Sequence, residues 1–257
     1  MKIVSILLLL VSGAAISSAQ IVISDFPFSH SESFDSLAST GTSALLPNHW
    51  FLSESGTSSK ADGSYRSGTG SASLGDTYSL GSSGERALGE VTTGTLLSSF
   101  GAQLQNSSGS VLNNLQIGYV GEQWRRGSAT ADRLDFSYSL DATSLSDGTW
   151  SDVDSLDFHS VQNAGSSGAL DGNLMENQSS ISGSLTGLSI EEGDTFWIRW
   201  AGVDVVGSDH GLAIDNLTLA AVPEPEEYAL VFGSGLVAFA TFRRFRNRSS
   251  EGLGELP

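Results

Sequence analysis

Apolar and polar residues alternate along two stretches of this chain, and this pattern limits the local structure that each stretch can form. Leu134, Phe136, Tyr138 and Leu140 alternate with polar residues, and residues 196–200 repeat the pattern. A period of two places successive side chains on opposite faces of an extended strand. Each stretch therefore predicts a strand with one buried face, and the first stretch places Leu140 on that face.

Further strands are predicted for apolar runs at residues 21–24, 49–52, 96–105, 115–120, 153–158, 181–185 and 213–219. Clusters of Gly, Ser, Asn and Asp, which favour turns, separate them at residues 53–70, 81–84, 106–109, 147–148 and 163–172. Many short strands, with neither a long amphipathic helix nor a fixed repeat, are typical of an all-β fold. We predict an antiparallel β-sandwich or jelly roll over residues 20–221. Its last strand has a break in alternation at Asp215 and Asn216.

The composition of the chain argues against several kinds of binding partner and several kinds of active-site chemistry. The 257 residues include 29 acidic and 12 basic side chains, a formal net charge of −17, which disfavours nucleic acid and anionic membrane surfaces as partners. The chain has no cysteine, which excludes disulfides, thiol nucleophiles and cysteine-ligated metals. It lacks the motifs of serine hydrolases, zinc peptidases and nucleotide-binding enzymes. No catalytic residue is predicted, and a non-enzymatic protein is expected.

The stretch 204–215, reading DVVGSDHGLAID, is the best candidate for a metal site. Asp204, Asp209 and Asp215 offer the hard oxygen ligands that Ca²⁺ prefers. The alternative is a polar hairpin in which the aspartates cap a turn. His210, in the same stretch, is expected to be an exposed loop residue.

Five tryptophans are the candidates for contacts with a glycan, although core packing is the default for each. Trp124 and Trp197 are the two candidate glycan contacts. Trp197 and Trp200 cannot share a face of a regular strand, so one is expected in the core and the other exposed or under a loop. Glu122 is expected to pair with a neighbouring arginine.

Residues 1–19 have the layout of a secretory signal peptide. They contain one lysine, an apolar run over residues 3–11, and small residues at Ser17 and Ala19. Cleavage by signal peptidase is expected after Ala19, and a retained N-terminal anchor is the alternative.

Three different blocks follow one another at residues 222–248. Pro223, Glu224 and Pro225 make a stiff, extended break. Residues 228–242 carry no charge, and a helix of that length spans roughly 22 Å, against a hydrocarbon core of about 30 Å. A cationic stop then consists of Arg243, Arg244, Arg246 and Arg248. The pattern predicts a short transmembrane helix with its arginines in the cytoplasm, followed by a tail at residues 249–257; a buried core helix is the alternative.

This order of a Pro-Glu-Pro motif, an apolar helix and an arginine cluster resembles the PEP-CTERM sorting signal of Gram-negative bacteria. The resemblance implies that a membrane-embedded enzyme of the exosortase family recognises Pro223, Glu224 and Pro225. It also implies that processing leaves the folded part at the cell envelope or in the extracellular matrix. Four further stretches resemble a β-sandwich region of bacterial exported proteins: residues 121–125, 138–143, 196–200 and 211–216.

Three functions are therefore open for the folded part of the chain. The first is a non-enzymatic structural protein of the surface or matrix. The second is a module that binds the producer's own exopolysaccharide. The third is a surface hydrolase whose carboxylates converge only in the fold, since two carboxylates suffice for glycoside hydrolysis.

Overall fold

The computed structural model describes residues 20–82 and 84–222, and this part of the chain is all-β. The strands are β1 (Ile21–Ile23), β2 (Phe28–Glu32), β3 (Thr42–Ser43), β4 (Trp50–Gly56), β5 (Tyr65–Gly68), β6 (Asp76–Leu80), β7 (Ala87–Val91), β8 (Leu96–Asn106), β9 (Leu112–Arg126), β10 (Arg133–Ser139), β11 (Ser151–Asp152), β12 (Phe158–His159), β13 (Gly168–Ala169), β14 (Gln178–Ile190), β15 (Thr195–Gly202) and β16 (Gly211–Ala221). Two short 3-10 helices cover Asp154–Leu156 and Met175–Asn177. The predicted signal peptide and the sorting segment from Pro223 onward lie outside the described residues. None of the helices among the described residues has the length and hydropathy that spanning a bilayer requires.

The strands form two sheets that pack face to face. Sheet A contains seven strands, with β8, β15 and β10 at its centre, β1 and β4 beside β8, and β11 and β12 beside β10. Sheet B contains nine strands, with β9 and β16 at its centre, β13 and β14 beside β9, and β2 and β7 beside β16; β6, β5 and β3 follow β7. The predicted all-β sandwich is confirmed. The expected antiparallel pairing holds except for β1 with β8 and β5 with β6, which are parallel.

The alternating stretches become the centre of sheet A. β10 and β15 pair with Phe136 opposite Trp200, and both side chains are fully buried between the sheets. Leu140 is 51% exposed, contrary to the sequence prediction, because β10 ends at Ser139 and the chain turns away.

Trp200 is the centre of the main core. Its ring lies 5.1 Å from that of Phe136, 5.3 Å from that of Tyr119 and 6.0 Å from that of Trp50, measured between centroids. Strands of both sheets supply the rest of this core. Truncating a buried ring of this kind typically costs about 3–5 kcal/mol, so these contacts hold the two sheets together.

Two smaller clusters lie outside the main core, on the outer side of each sheet. The cluster outside sheet B includes Trp124 and Ala213. The cluster outside sheet A contains Ala142, Leu145 and Trp197. Because loops cover both clusters, each sheet has its outer face partly buried.

Several local features differ from the sequence prediction, and one local feature agrees with it. Residues 153–158, predicted as a strand, contain a 3-10 helix and only the beginning of β12. β5 and β13 lie within predicted turn clusters, at residues 53–70 and 163–172. The strands that were not predicted are β2, β3, β6, β7 and β11. The break at Asp215 and Asn216 is confirmed, because the β16–β9 register shifts there and Asn216 has a φ of 50°.

Candidate functional site

Three carboxylates from separate parts of the chain meet on the outer side of sheet B. Glu122 on β9 is opposite Ala213 on β16, and Asp215 lies two residues beyond Ala213. Glu85 lies in the connection between β6 and β7. One carboxylate oxygen from each acid lies within 4.8 Å of the other two. Glu85, Glu122 and Asp215 are called the carboxylate cluster below.

Neighbouring side chains hold Glu122 in place. Trp124 Nε1 donates a hydrogen bond to Glu122 Oε2 over 2.8 Å, and Gln178 Nε2 donates to Oε1 over 3.1 Å. The expected pairing with an arginine is wrong, because the guanidinium groups of Arg125 and Arg126 donate to backbone carbonyls of adjacent loops. Each Glu122 oxygen thus accepts a hydrogen bond from a neutral donor.

Glu85 and Asp215 are each left with one oxygen lacking a partner. Asn173 Nδ2 donates to Glu85 Oε2 and Asn216 Nδ2 donates to Asp215 Oδ2, both over 2.6 Å. Glu85 Oε1 and Asp215 Oδ1 are buried with no hydrogen-bond partner among the described residues. A buried polar atom in this state is uncommon and costs free energy, so these two oxygens call for an explanation.

Burial dominates the electrostatics of the carboxylate cluster. Glu122 is 1% exposed and Asp215 is 3% exposed. Desolvation, reinforced by the neighbouring acids, raises the pKa of Glu122 to about 8 and that of Asp215 to about 7, and it also raises the pKa of Glu85. No lysine or arginine of the described chain makes an ion pair with any of the three. The site therefore concentrates three acid groups, and the nearby charge of Arg86 offsets only part of the rise in the pKa of Glu85.

The predicted grouping of Asp204, Asp209 and Asp215 is not the one that the fold assembles. The carboxylate cluster is the one group of three close metal-ligating side chains within residues 20–82 and 84–222. Asp204 and Asp209 lie in the loop before β16, where Asp209 Oδ1 accepts a hydrogen bond from the Val205 N–H over 3.1 Å. Asp215 lies well inside β16, so the extended strand carries it away from that loop. The sequence interpretation missed Glu85 and assigned Glu122 to an ion pair.

His210 is buried, contrary to the expectation of an exposed loop residue. It is 1% exposed. Its ring Nδ1 accepts a hydrogen bond from the Gly127 backbone N–H over 2.8 Å, and its backbone N–H donates to Asp132 Oδ2 over 2.8 Å. Desolvation, aided by the charge of Arg126, lowers the pKa of the imidazole. The residue therefore fixes the loop before β16 against the end of β9.

Neither predicted glycan contact reaches the surface. Trp124 is 1% exposed. A Cβ on Gly172 would lie 2.3 Å from its ring, so the backbone of the loop between β13 and β14 packs directly against the ring. Trp197 is 3% exposed and packs under the loop that carries Ala142 and Leu145. Trp200 is in the core and Trp197 is under a loop, as one alternative for this pair predicted. Trp124 and Trp197 are thus excluded as stacking surfaces for a sugar.

Trp150, just before β11, is the half-buried tryptophan on the outer side of sheet A. The Arg199 guanidinium lies over its ring, with Cζ 3.7 Å from the centroid. Arg199 Nε also donates to Ser137 Oγ over 3.1 Å, and Ser137 is opposite Asp152 in the β10–β11 pair. The aromatic ring, the cation and a carboxylate therefore lie side by side on one face of the sheet.

An open pocket of about 360 Å³ continues this face along β10 and is called the aspartate pocket below. Its lining residues are Arg133, Asp135, Asp152, Asp154, Asp157 and His159. Arg133 and Asp135 form a half-exposed ion pair. Asp157 Oδ1 accepts a hydrogen bond from the Phe136 N–H over 2.8 Å, and partial burial raises the pKa of Asp157. The pocket presents hydrogen-bonding groups of both charges to solvent.

A second open groove, of about 300 Å³, crosses the outer side of sheet B. Mostly small or uncharged polar residues of β9, β14 and β16 line it, among them Gln116, Ser182, Ser184 and Thr218. Because it offers neither an aromatic ring nor a charge, it is the weaker candidate for ligand binding.

Comparisons with known proteins do not assign this chain to a family. Neither a family model nor a curated protein matches the chain. Among solved structures, the xylan-binding domain from CBM 22 is 9% identical with a TM-score of 0.40, over 77% of this chain and 97% of that one. The K1 cleaved adhesin domain of Lys-gingipain from Porphyromonas gingivalis W83 is 11% identical with a TM-score of 0.38, over 76% and 99%. The enzymatically active domain of bacteriophage CBA120 tailspike protein 4 is 12% identical with a TM-score of 0.35, over 68% of this chain but only 19% of that one. Likeness at this level does not extend to function.

Proposed function

We propose that this is an exported, non-enzymatic protein of the cell envelope or extracellular matrix whose sandwich binds a polysaccharide through the outer side of sheet A. The observation that carries the proposal is the half-buried Trp150, held by Arg199 beside the aspartate pocket. A purely structural role at the same location is the second candidate.

The chemistry of this face suits a sugar chain. A half-buried aromatic ring offers a flat apolar surface while part of it remains in solvent. Carboxylates accept hydrogen bonds and an arginine donates them, so groups such as Asp152 and Arg133 can orient sugar hydroxyls. An open pocket bordering a ring suits a segment of a long polymer better than a small ligand enclosed on all sides.

Binding is tested with the full-length chain, purified with a mild detergent present throughout. Isothermal titration with neutral and acidic soluble polysaccharides is expected to reveal at least one that binds. Trp150→Ala is expected to weaken that binding about tenfold, and Asp152→Asn severalfold, since losing one good contact of this kind costs about 1 kcal/mol or more.

Matched controls separate this face from general effects. Thr218→Ala removes a side chain from the sheet B groove, and Glu191→Gln removes an exposed charge from a turn. Both are expected to bind as the unaltered chain does. Equal weakening in the controls, or no binding across the polymer panel, would refute the proposed site and leave the structural role.

The same incubations test for catalysis. A binding protein leaves the polymer intact, so no new reducing ends are expected after long incubation. Release of fragments that Asp157→Asn abolishes would instead support the hydrolase, because glycoside hydrolysis needs a carboxylic acid with a raised pKa.

Location is a separate part of the proposal and rests on the sequence at both ends. Mass spectrometry of the protein recovered from its producing cells is expected to find an N-terminus at Gln20, after removal of residues 1–19. It is also expected to find a C-terminus processed near Pro223. Deletion of residues 223–257 is expected to shift the protein from the envelope to the soluble exported fraction. An unchanged location would overturn the sorting role of Pro223, Glu224 and Pro225.

A further inference from the structure

We propose that the carboxylate cluster of Glu85, Glu122 and Asp215 is a Ca²⁺ site on the outer side of sheet B, separate from the aspartate pocket. One oxygen from each residue lies within 4.8 Å of the other two. Ca²⁺ binds oxygen at 2.3–2.6 Å, so two ligands on opposite sides of one ion lie about 5 Å apart. An ion centred among three oxygens at this spacing lies within about 2.8 Å of each, so side-chain shifts of about 0.2 Å or more bring all three to the coordination distance.

The chemistry of the cluster favours calcium over other biological cations. Its three side chains offer only carboxylate oxygens, which are hard ligands that suit Ca²⁺, Mg²⁺ and Mn²⁺ and not the softer transition metals. Mg²⁺ keeps most of its water and demands a near-ideal octahedron, whereas Ca²⁺ accepts several protein oxygens in irregular geometry. Glu122 and Asp215 are almost fully buried, so an ion that sheds its water readily is the better fit.

A second observation, independent of the clustering, also indicates a missing ligand. Asp215 is 3% exposed, yet its Oδ1 has no hydrogen-bond partner among the described residues, and the same holds for the buried Glu85 Oε1. Buried carboxylate oxygens are normally paired with a donor or a metal. The cation would supply the missing partner for both oxygens at once.

The remaining oxygens are held as metal ligands usually are. Trp124 and Gln178 donate to Glu122, and Asn173 donates to Glu85. Neutral donors of this kind orient coordinating carboxylates without neutralising them, which is the role of outer-shell partners in metal sites. A carboxylate oxygen accepts from more than one direction, so these hydrogen bonds leave room for the ion.

An ion at this position would cross-link parts of the chain that are distant in sequence. Glu85 precedes β7, Glu122 lies on β9 and Asp215 lies on β16. Asn173, which holds Glu85, comes from the connection between β13 and β14. Calcium binding is therefore expected to stabilise the folded sandwich, because it ties three segments that are free to separate in the unfolded chain.

The test uses the full-length chain, stripped with EDTA, dialysed and kept in mild detergent. Isothermal titration with CaCl₂ is expected to show one site, with MgCl₂ binding at least tenfold more weakly. Saturating Ca²⁺ is expected to raise Tm by on the order of 5 °C, the shift that mass action gives a chain of this size when the ion concentration far exceeds Kd. Asp215→Asn and Glu122→Gln are expected to lose both effects, while Glu191→Gln keeps them.

Tb³⁺ binds at Ca²⁺ sites, and a nearby tryptophan sensitises its luminescence. This luminescence therefore locates the ion without a substitution of its ligands. Trp124 Nε1 is 2.8 Å from Glu122 Oε2, so its ring is close enough to sensitise a bound Tb³⁺. Sensitised Tb³⁺ emission is expected with the unaltered chain, and Ca²⁺ is expected to abolish it by displacing Tb³⁺. The emission is expected to fall strongly in Trp124→Phe but not in Trp150→Phe.

Several results would overturn the site. They are no heat and no change in Tm with Ca²⁺, binding unchanged in both ligand variants, or emission that depends on Trp150 instead of Trp124. Binding lost in Asp152→Asn but kept in Asp215→Asn would move the ion to the aspartate pocket. None of these outcomes depends on polysaccharide binding, so the two proposals stand or fall separately.

Discussion

The carboxylate cluster and the aspartate pocket contain the same kind of side chain in opposite surroundings. In the cluster, two of the three acids are almost fully buried and no described arginine or lysine pairs with them. In the pocket, the aspartates line an open cavity and one of them pairs with Arg133. Solvent and a protein cation already satisfy the pocket, which leaves it free to exchange hydrogen bonds with a polar ligand. The two unpartnered oxygens of the cluster need a further partner, which a proton or a metal ion would supply.

The largest effect that separates the two regions is expected from their tryptophans. Trp124→Ala is expected to lower the free energy of unfolding by about 3–5 kcal/mol, because it empties a buried site and leaves Glu122 Oε2 without its donor. Trp150→Ala is expected to cost about 1 kcal/mol, since its ring is half in solvent. Urea unfolding in excess EDTA, followed by circular dichroism, measures both. Similar losses for the two variants would mean that burial does not distinguish the regions.

A smaller effect is expected from pH, and it isolates the buried acids from the exposed ones. Desolvation raises the pKa of Glu90, which lies between the sheets, to about 8. The folded state binds this proton more tightly than the unfolded state does. The contribution of Glu90 to the free energy of unfolding is therefore full below pH 4.5 and is lost as pH rises to about 8. Stability is therefore expected to fall between pH 5 and 9, and Glu90→Gln is expected to reduce the fall by on the order of 2 kcal/mol.

An exposed aspartate provides the control for this pH series. Hydrogen bonds from Thr143 and Ser144 lower the pKa of Asp147 to about 2. Its contribution is present above its unfolded pKa of 3.8 and is lost only as pH falls toward about 2, so it is constant between pH 5 and 9. Asp147→Asn is expected to leave the slope in that range unchanged. A slope that Asp147→Asn alters and Glu90→Gln does not would contradict the assignment to the buried acid.

The smallest effect is expected at the Arg133–Asp135 pair in the aspartate pocket. Its side chains are 43% and 33% exposed, so water and salt screen the attraction. Arg133→Gln is expected to change the free energy of unfolding by less than about 0.5 kcal/mol. A thermal unfolding series at low and high salt measures it. A loss above about 2 kcal/mol would mean that the pocket depends on this specific ion pair, contrary to the contrast drawn with the cluster.

The alternation of the central strands was predicted because each has one core face and one outer face. Leu134, Phe136 and Trp200 lie on the core side as the period requires. The sequence did not predict β7, because this strand has no exposed face. All five of its residues are buried, since loops cover its outer side, and such a strand carries no alternating pattern.

The site could be predicted only in part. Asp215 was identified as a ligand candidate, and the break beside it was found from the sequence. Its partners were not, because Glu85 and Glu122 are distant in sequence and neither has a local spacing that marks a metal site. Pairing with Asp204 and Asp209 was wrong because proximity in sequence does not bring together residues of a loop and of an extended strand. The burial of Trp124 and Trp197 by loops could not be predicted either, because the sequence of a strand does not show which loop covers it.

The all-β class, the inward-facing rows of the central strands and the acidic, cysteine-free character of the chain could be predicted, because they follow from local periodicity and composition. The tertiary structure decided which acids meet, which tryptophan reaches solvent and which strands lie under loops. Those outcomes depend on strand register and loop cover, which arise from contacts between residues far apart in the chain and so have no local pattern to identify them.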